Sequence, residues 1–383
     1  VGSEGDWKEA GVDWKKLYGI PLFLGLFGAF YHWRRDPKMA AVASATFVVL
    51  GLALVLYFNM QEPQPRERDY FYVGSFFIFS MWIGIGVLGA IDWIKEKYQS
   101  TGGYAPTGYG ILILAFLLVP MNMLRTNYHQ ANRKGNYVAW DYSYNLLQTC
   151  DQDAIIFTNG DNDTFPLWYL QDVEGVRRDV RVVCLSLLNT NWYIKQLKHG
   201  EPYGAKKVPI TTSDGDIENI GPREFQTRVI KLPVPGEVMK RYSVEGTSAT
   251  VTMKDKGTEV PDTISFTMPN TVEFGNVKAI RVQDIMVFDI VASSNWQRPI
   301  YFAMTVSPDG QIGLRDYLQL EGLAFRLIPK KGAAFWSNVN ETRMRAQLFT
   351  DIDKPSKTPA LGYRWRGLQD STTYFDEDLR RLM

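Results

Sequence analysis

The chain has 383 residues, 45% of them hydrophobic and 22% charged, and its 42 Lys and Arg against 41 Asp and Glu leave a net charge of +1. That balance, with no basic arm or run of like charge, excludes a field that would recruit nucleic acid. The length exceeds one average domain, so two units are expected.

Long charge-poor runs lie almost entirely before Leu124, and the rest of the chain has the pattern of soluble protein. The opening Val-Gly-Ser-Glu-Gly-Asp-Trp has neither an initiator methionine nor a signal peptide, and the closing "YFDEDLRRLM" has no evident cap. Both ends therefore read as cuts in a longer chain. After a polar lead-in over residues 1–16, four apolar runs follow: Leu17–Trp33, Met39–Asn59, Tyr70–Trp93 and Tyr104–Leu124. A membrane-spanning helix needs about 20 mostly apolar residues, so residues 17–124 are predicted to hold four spans. Aromatic residues at the run ends, such as Tyr18, Trp33, Tyr57, Tyr70 and Trp93, fit interfacial belts. Gly84, Gly86 and Gly89 in the third run would let another helix approach closely.

Lys and Arg in the short loops set the orientation. "RRDPK" (34–38) and "IKEKYQ" (94–99) are the more positive and belong on the cytoplasmic side, which puts "RERD" (66–69) and everything after Leu124 outside. The expected fold is a multi-pass α-helical membrane region with four spans, followed over residues 125–383 by a soluble α/β (α+β) extracytoplasmic domain. The expected location is an inner membrane with that domain on the periplasmic side.

In the soluble part, Ala154–Phe157 and Val180–Leu185 read as strands bracketing a helix from about Phe165 to Asp172, a βαβ unit around 154–186. Beyond Gly200, "KKVPITTSDGD", "TRVIKLPVPGE", "SATVTMKDKG" and "DTISFTMPN" suggest short strands in hairpins or a small sheet. "VQDIMVFDIVASS" reads as a helix, "RPIYFAMTV" as a strand, and "LRDYLQLEGLAFRLIPKK" as a short helix leading to a terminal strand.

Cys150 and Cys184 are too few for a disulfide framework or zinc knuckle and read as buried thiols, with pairing as the alternative. His32, His129 and His199 lie in unrelated segments, which argues against a zinc site. No cofactor or metal is expected.

The segment "FTNGDNDTFPLWYLQ" (157–171) poses the main chemical question. Asp161-Asn162-Asp163 has the residue types of an Asp-x-Asp metal site in a nucleotide-sugar transferase, because hard cations want carboxylate oxygens. Membrane spans, however, occupy the place where such an enzyme has its nucleotide-binding sheet. An EF-hand fails at Phe165-Pro166-Leu167, and a phosphatase Asp-x-Asp-x-Thr fails because Thr164 follows Asp163 directly. The plain reading is a turn at Asn159-Gly160, a helix capped by Asp163 or Thr164, and Pro166 in its first turn. A polar or glycan-contacting loop is the third reading, since a cap uses only one of these side chains.

In "EPQPRERDYFY", Arg66 and Arg68 lie against the membrane surface, where arginine pairs suit a phosphate headgroup; pairing with Glu62, Glu67 or Asp69 is the alternative. In "SSNWQRPIYFA", Trp296 and Arg298 are candidates for acceptor contact, with packing the favoured role. No nucleophile motif, Walker loop or dinucleotide fingerprint is present.

The segments "EPQPRERDYFYVGSFFIF", "FTNGDNDTFPLWYLQDVEGVRRDVRVVCLSLLNTNWYI", "NWQRPIYFAMTV" and "YLQLEGLAFRLIP" resemble the C-terminal half of a multi-span membrane family common in Bacteroidetes, formerly a domain of unknown function. That family is similar to the transmembrane protein O-mannosyltransferases, GT-C-type glycosyltransferases. The resemblance implies a membrane enzyme that moves a hexose, mannose above all, from a polyprenyl-phosphate donor to protein hydroxyls at the non-cytoplasmic face. It implies a catalytic acid in the first outside loop, which would precede Val1, so no catalytic residue is assigned and this portion alone would be inactive. Arg66 and Arg68 then become candidates for the donor phosphate, and Asp161, Asn162 and Asp163 for acceptor contact. Two other readings stand beside it: a non-catalytic membrane-anchored module binding a periplasmic protein or glycan, and a metal-dependent nucleotide-sugar transferase using Asp161 and Asp163.

Overall fold

A computed structural model describes residues 19–59, 69–98, 104–132, 134, 137–245, 260–332, 338–348 and 365. The chain divides into two compact units, Val1–Lys134 and Gly135–Met383.

The first unit is helical. Three helices are long and apolar enough to cross a membrane: α2 (Pro37–Phe58, 22 residues), α3 (Tyr70–Lys97, 28) and α4 (Pro106–Tyr128, 23). Large apolar side chains on them, including Leu52, Leu56, Phe77, Ile113 and Leu114, face outward, an arrangement that water does not tolerate and lipid does. These helices mark the chain as a membrane protein. Both α2 and α4 carry a π-helical turn, at Val49–Ala53 and at Leu117–Met121, the second around Pro120, whose missing amide breaks the regular ladder.

The first predicted span differs. Its described part, α1 (Ile20–Arg35), has 16 residues, or about 24 Å at 1.5 Å per residue, against a hydrocarbon core of about 30 Å. It docks on α3 through glycine. A Cβ on Gly28 would lie 1.7 Å from the Trp82 carbonyl oxygen, and one on Gly86 would lie 2.2 Å from that of Leu24. Gly89 likewise makes room for Tyr31, whereas Gly84 has nothing within 4 Å. Two of the three predicted glycines therefore form the contact, and Gly25 and Gly28 of α1 are their counterparts. Tyr31 donates to Asp92 at 2.6 Å across the same pair.

The second unit opens with α5 (Val138–Thr149) and is organised by a five-stranded mixed sheet. Its strands are β1 (Ile155–Thr158), β2 (Arg181–Cys184), β8 (Ile300–Ala303), β9 (Leu318–Glu321) and β10 (Ala324–Leu327), in the order β2-β1-β8-β10-β9. β1 runs parallel to both β2 and β8, and β10 is antiparallel to β8 and β9. Every residue of β1, β2, β8 and β10 is buried, which explains their continuous apolar sequence. Phe157 and Phe302 face each other in register, with ring centroids 4.9 Å apart.

The predicted βαβ unit is present as β1, α6 (Asp161–Asp172) and β2, although α6 begins four residues before the expected Phe165. Pro166 is therefore the sixth helical residue, beyond the first turn, and its missing amide leaves the Asn162 carbonyl without its i+4 partner. Helix α7 (Asn191–His199) follows β2.

The middle of the chain holds two smaller sheets. One pairs β4 (Arg228–Pro233) with β5 (Thr263–Met268); the other orders β3 (Arg223–Glu224), β7 (Val277–Ile280) and β6 (Val272–Phe274) as β3-β7-β6. "TRVIKLPVPGE" and "DTISFTMPN" thus pair antiparallel in a small sheet, one of the two arrangements expected, with a helix between them in sequence. "KKVPITTSDGD" forms no strand; it ends in the short helix α8 (Asp214–Glu218), and Thr211 and Thr212 instead bind the Asp289 carboxylate. "SATVTMKDKG" lies outside the described residues. Beyond β5, α10 (Val282–Ser294) is the predicted helix, and α9 (Gly236–Glu245) precedes β5.

The last prediction needs correction. "LRDYLQLEGLAFRL" is mainly the β9–β10 hairpin, turning at Gly322 with φ +70°, preceded by one 3-10 turn at Arg315–Tyr317. Helix α11 (Glu341–Leu348) is the last described element. Cys150 and Cys184 are free and buried.

Candidate functional site

From β1 the chain crosses to β2 on one side, and it returns to β8 on the other side of β1. Parallel strands that diverge in this way leave a crevice beyond their carboxyl ends, the usual ligand position in open α/β sheets. The Asn159–Asp163 segment leaves the carboxyl end of β1, and Met304-Thr305 leaves that of β8. The motif singled out in the sequence therefore lies at the switch point.

Local geometry begins with Gly160 at φ +76°, ψ −165°, a region essentially reserved for glycine. A Cβ there would meet only Ser186 Oγ at 3.6 Å, so the requirement is conformational rather than spatial. The turn is tied together from within. Asp163 Oδ2 accepts the Asn159 amide at 3.1 Å and the Thr305 hydroxyl, and the Asn159 side-chain amide donates to the Thr305 carbonyl at 3.3 Å. The Thr158 and Thr164 hydroxyls meet at 2.7 Å, and Thr164 donates to the Gly160 carbonyl.

The three polar residues of the motif have separate environments. Asp163 is 8% exposed, and burial pushes its carboxyl up against the opposing hydrogen bonds of Thr305 and Asn159. Beside it stands Tyr142 of α5, pushed up to about 12 by burial, with the Asp163 charge adding to the effect. Asp161 and Asn162 are exposed. Asp161 Oδ1 accepts the neighbouring Asn162 amide at 2.9 Å, and its second oxygen has no hydrogen bond among the described residues. The arrangement offers a fixed internal carboxylate as scaffold and two exposed polar side chains for contact. Among the described residues no group of three or more His, Cys, Asp or Glu is close enough to hold a metal ion.

The other predicted residues lie elsewhere. Arg298 precedes β8, at the opposite end of the parallel strands from Asp161. Its guanidinium donates to the Asp153 and Lys207 carbonyls at 2.7 and 2.6 Å, and burial pulls it down to about 10. Trp296 takes φ +61° just after α10 and donates from Nε1 to the Pro233 carbonyl at 2.9 Å, which ties β4 to that turn. Both side chains are held by backbone carbonyls. Arg66 and Arg68 lie outside the described residues.

Sequence reasoning missed Tyr142 and Thr305, which only the fold brings to Asp163. It also missed Arg181, whose signal was legible: an arginine inside the buried strand "VRVVCL".

An α/β body in one chain with membrane-length helices defines a membrane protein that carries an α/β domain. The chain belongs to the family of TMEM260-associated domain 2, whose model matches residues 139–256 and 227–345, together more than half its length. It is similar to the Dictyostelium discoideum protein O-mannosyl-transferase tmem260, at 25% identity over 186 residues, which are 45% of this chain and 22% of that protein. It is likewise similar to the mouse protein O-mannosyl-transferase TMEM260, at 34% identity over 193 residues, 50% of this chain and 24% of the relative. The chain thus spans less than a quarter of the length of either relative. No solved structure matches it.

Proposed function

We propose that the chain is part of a membrane glycosyltransferase of the protein O-mannosyltransferase kind, moving a hexose from a polyprenyl-phosphate donor to protein hydroxyls. The observation that carries this reading is the family match over 139–345 in a chain whose earlier residues form membrane-length helices. In this reading α1 is a fourth span, the α/β body lies outside the cytoplasm, and Arg66 and Arg68 hold the donor phosphate beside the membrane. The crevice then serves the acceptor: Asp161 and Asn162 contact the incoming polypeptide, and Asp163 keeps their turn in place without touching substrate.

The test is transfer of labelled hexose from a polyprenyl-phosphate donor by the full-length protein, with and without this portion. Alanine at Arg66 and Arg68 should raise the apparent donor KM, and Asp161→Asn should raise that of the acceptor while leaving the donor's alone. Full activity without this portion would remove the proposal, and unchanged donor kinetics would remove the phosphate role.

A further inference from the structure

Away from the switch point, α6, the edge strand β2, α7 and the loop after it enclose an open cleft of about 780 Å³, within the range of small-ligand sites. Its floor is unusual. Arg181, the first residue of β2, is only 5% exposed, and its side chain makes no hydrogen bond or ion pair with any described residue. Its Nη1 is fully buried without a partner. A guanidinium withdrawn from water with no carboxylate in hydrogen-bond contact is among the costlier things a fold can contain. Burial pulls its pKa down, while the more distant Tyr193 and Glu201 offset this only in part. Arg177, by comparison, carries Asp179 at 2.8 Å.

The walls are aromatic and fixed. Trp168 projects from α6 and Trp192 from α7, the latter 54% exposed. Tyr203, also exposed, has its ring held 4.0 Å below the Arg178 guanidinium, which is itself bound to the Gln171 and Asp172 carbonyls at 2.7 and 3.0 Å. Gln196 and the exposed carboxylates of Asp172 and Glu201 complete the rim. Flat aromatic faces suit the apolar faces of pyranose rings, rim carboxylates and amides suit sugar hydroxyls, and a planar guanidinium suits a carboxylate or phosphate bidentately.

We infer that this cleft binds a saccharide bearing an anionic group, a carboxylate or a phosphate, with that group on Arg181 and the ring between Trp168, Trp192 and Tyr203. The site is separate from the switch-point crevice, and it holds whether or not the chain takes part in hexose transfer.

The test is equilibrium binding by calorimetry on the whole chain in detergent, with four probes: glucuronic acid, glucose 1-phosphate, neutral methyl glucoside and inorganic phosphate. At least one charged sugar should bind, and whichever of the two binds identifies the anion. The neutral sugar and inorganic phosphate should each bind about tenfold more weakly or worse, since each lacks one half of the recognition. Arg181→Gln should cost about tenfold or more in charged-sugar affinity and leave the residual binding indifferent to charge. Should that variant not fold, Trp192→Ala, at an exposed position, carries the test, with the same loss expected for glucuronic acid or glucose 1-phosphate but not for phosphate. Failure of both charged sugars to bind overturns the proposal. So does equal binding of methyl glucoside, equal binding of inorganic phosphate, or an affinity unmoved in a folded Arg181→Gln or Trp192→Ala.

Discussion

Asp163 is held in the folded chain at the expense of its solvation, and the consequence is a definite pH dependence. Its folded pKa lies above the ordinary 3.8, with burial the dominant cause, so the folded state binds this proton more tightly than the unfolded state does. The contribution of the group to stability is therefore most favourable below 3.8, falls as the pH rises through 3.8 to the folded value, and is level above it. Asp163→Asn keeps an acceptor oxygen for the Asn159 amide and the Thr305 hydroxyl but cannot ionise. The stability of the native chain relative to this variant should decline across that window in thermal unfolding followed from about pH 3 to about pH 7. A rising difference would mean that the two hydrogen bonds outweigh desolvation. Gly160→Ala acts on the same turn by a different route: its ψ of −165° at positive φ should cost about 1–3 kcal/mol, seen as a lowered Tm with no new pH dependence. The motif itself was legible as a turn before a helix. The partners were not, because Thr305 lies 142 residues away and only the β1–β8 pairing brings it close.

Among the elements, the β9–β10 hairpin and α11 are joined by a buried polar network that sequence periodicity could not reveal. Glu321, 1% exposed, accepts from Tyr301 at 3.2 Å and pairs with Arg343 at 2.8 Å and Arg326 at 3.6 Å. Arg343, from α11, also holds Asp151 with two bonds of 2.8 and 3.0 Å. Burial alone would raise Asp151, but the Arg343 hydrogen bond and the charges of Arg326, Arg343 and Arg177 reverse that and leave its pKa lowered. Its contribution to stability is thus present above the ordinary carboxylate value and is lost as the pH falls through the lower folded one, opposite in sign to Asp163. Glu321→Ala leaves the buried Arg326 and the half-buried Arg343 with Asp151 as their shared carboxylate and should cost about 1–3 kcal/mol in denaturant unfolding. Glu321→Gln, which keeps the shape and one acceptor, should cost less. The helix expected here failed for a related reason. Both strands of the hairpin are almost wholly buried, polar Gln319, Glu321 and Arg326 included, so the short Leu-Gln-Leu-Glu alternation marks no solvent face, and only Gly322 at φ +70° marked the turn. By contrast β1, α6 and β2 were legible, because apolar strand runs and turn residues coincide there.

At the scale of the molecule, the structure makes the side of the membrane that each part occupies testable. Length and composition alone identify α2, α3 and α4, but α1, at 16 described residues, is fixed by its glycine contact with α3 rather than by its own apolarity. Its crossing decides only where the polypeptide before Gly19 lies; the loops after α2 and α3 are the same either way. In the proposed orientation the positive loops at 34–38 and 94–99 are cytoplasmic and the α/β body is outside, and a fourth span would bring residues 1–16 out with it. Cys150 and Cys184 are buried, and burial pushes the Cys150 thiol up, so neither thiol should react with a membrane-impermeant maleimide in the folded protein. Lys278→Cys on β7, an exposed position, and Ser3→Cys before α1 then each report one side against a quiet background. Both should label in intact cells. Labelling at Lys278→Cys alone makes α1 a helix that docks without crossing. Labelling at Lys278→Cys only after lysis inverts the chain, and with it goes an acceptor crevice at the non-cytoplasmic face.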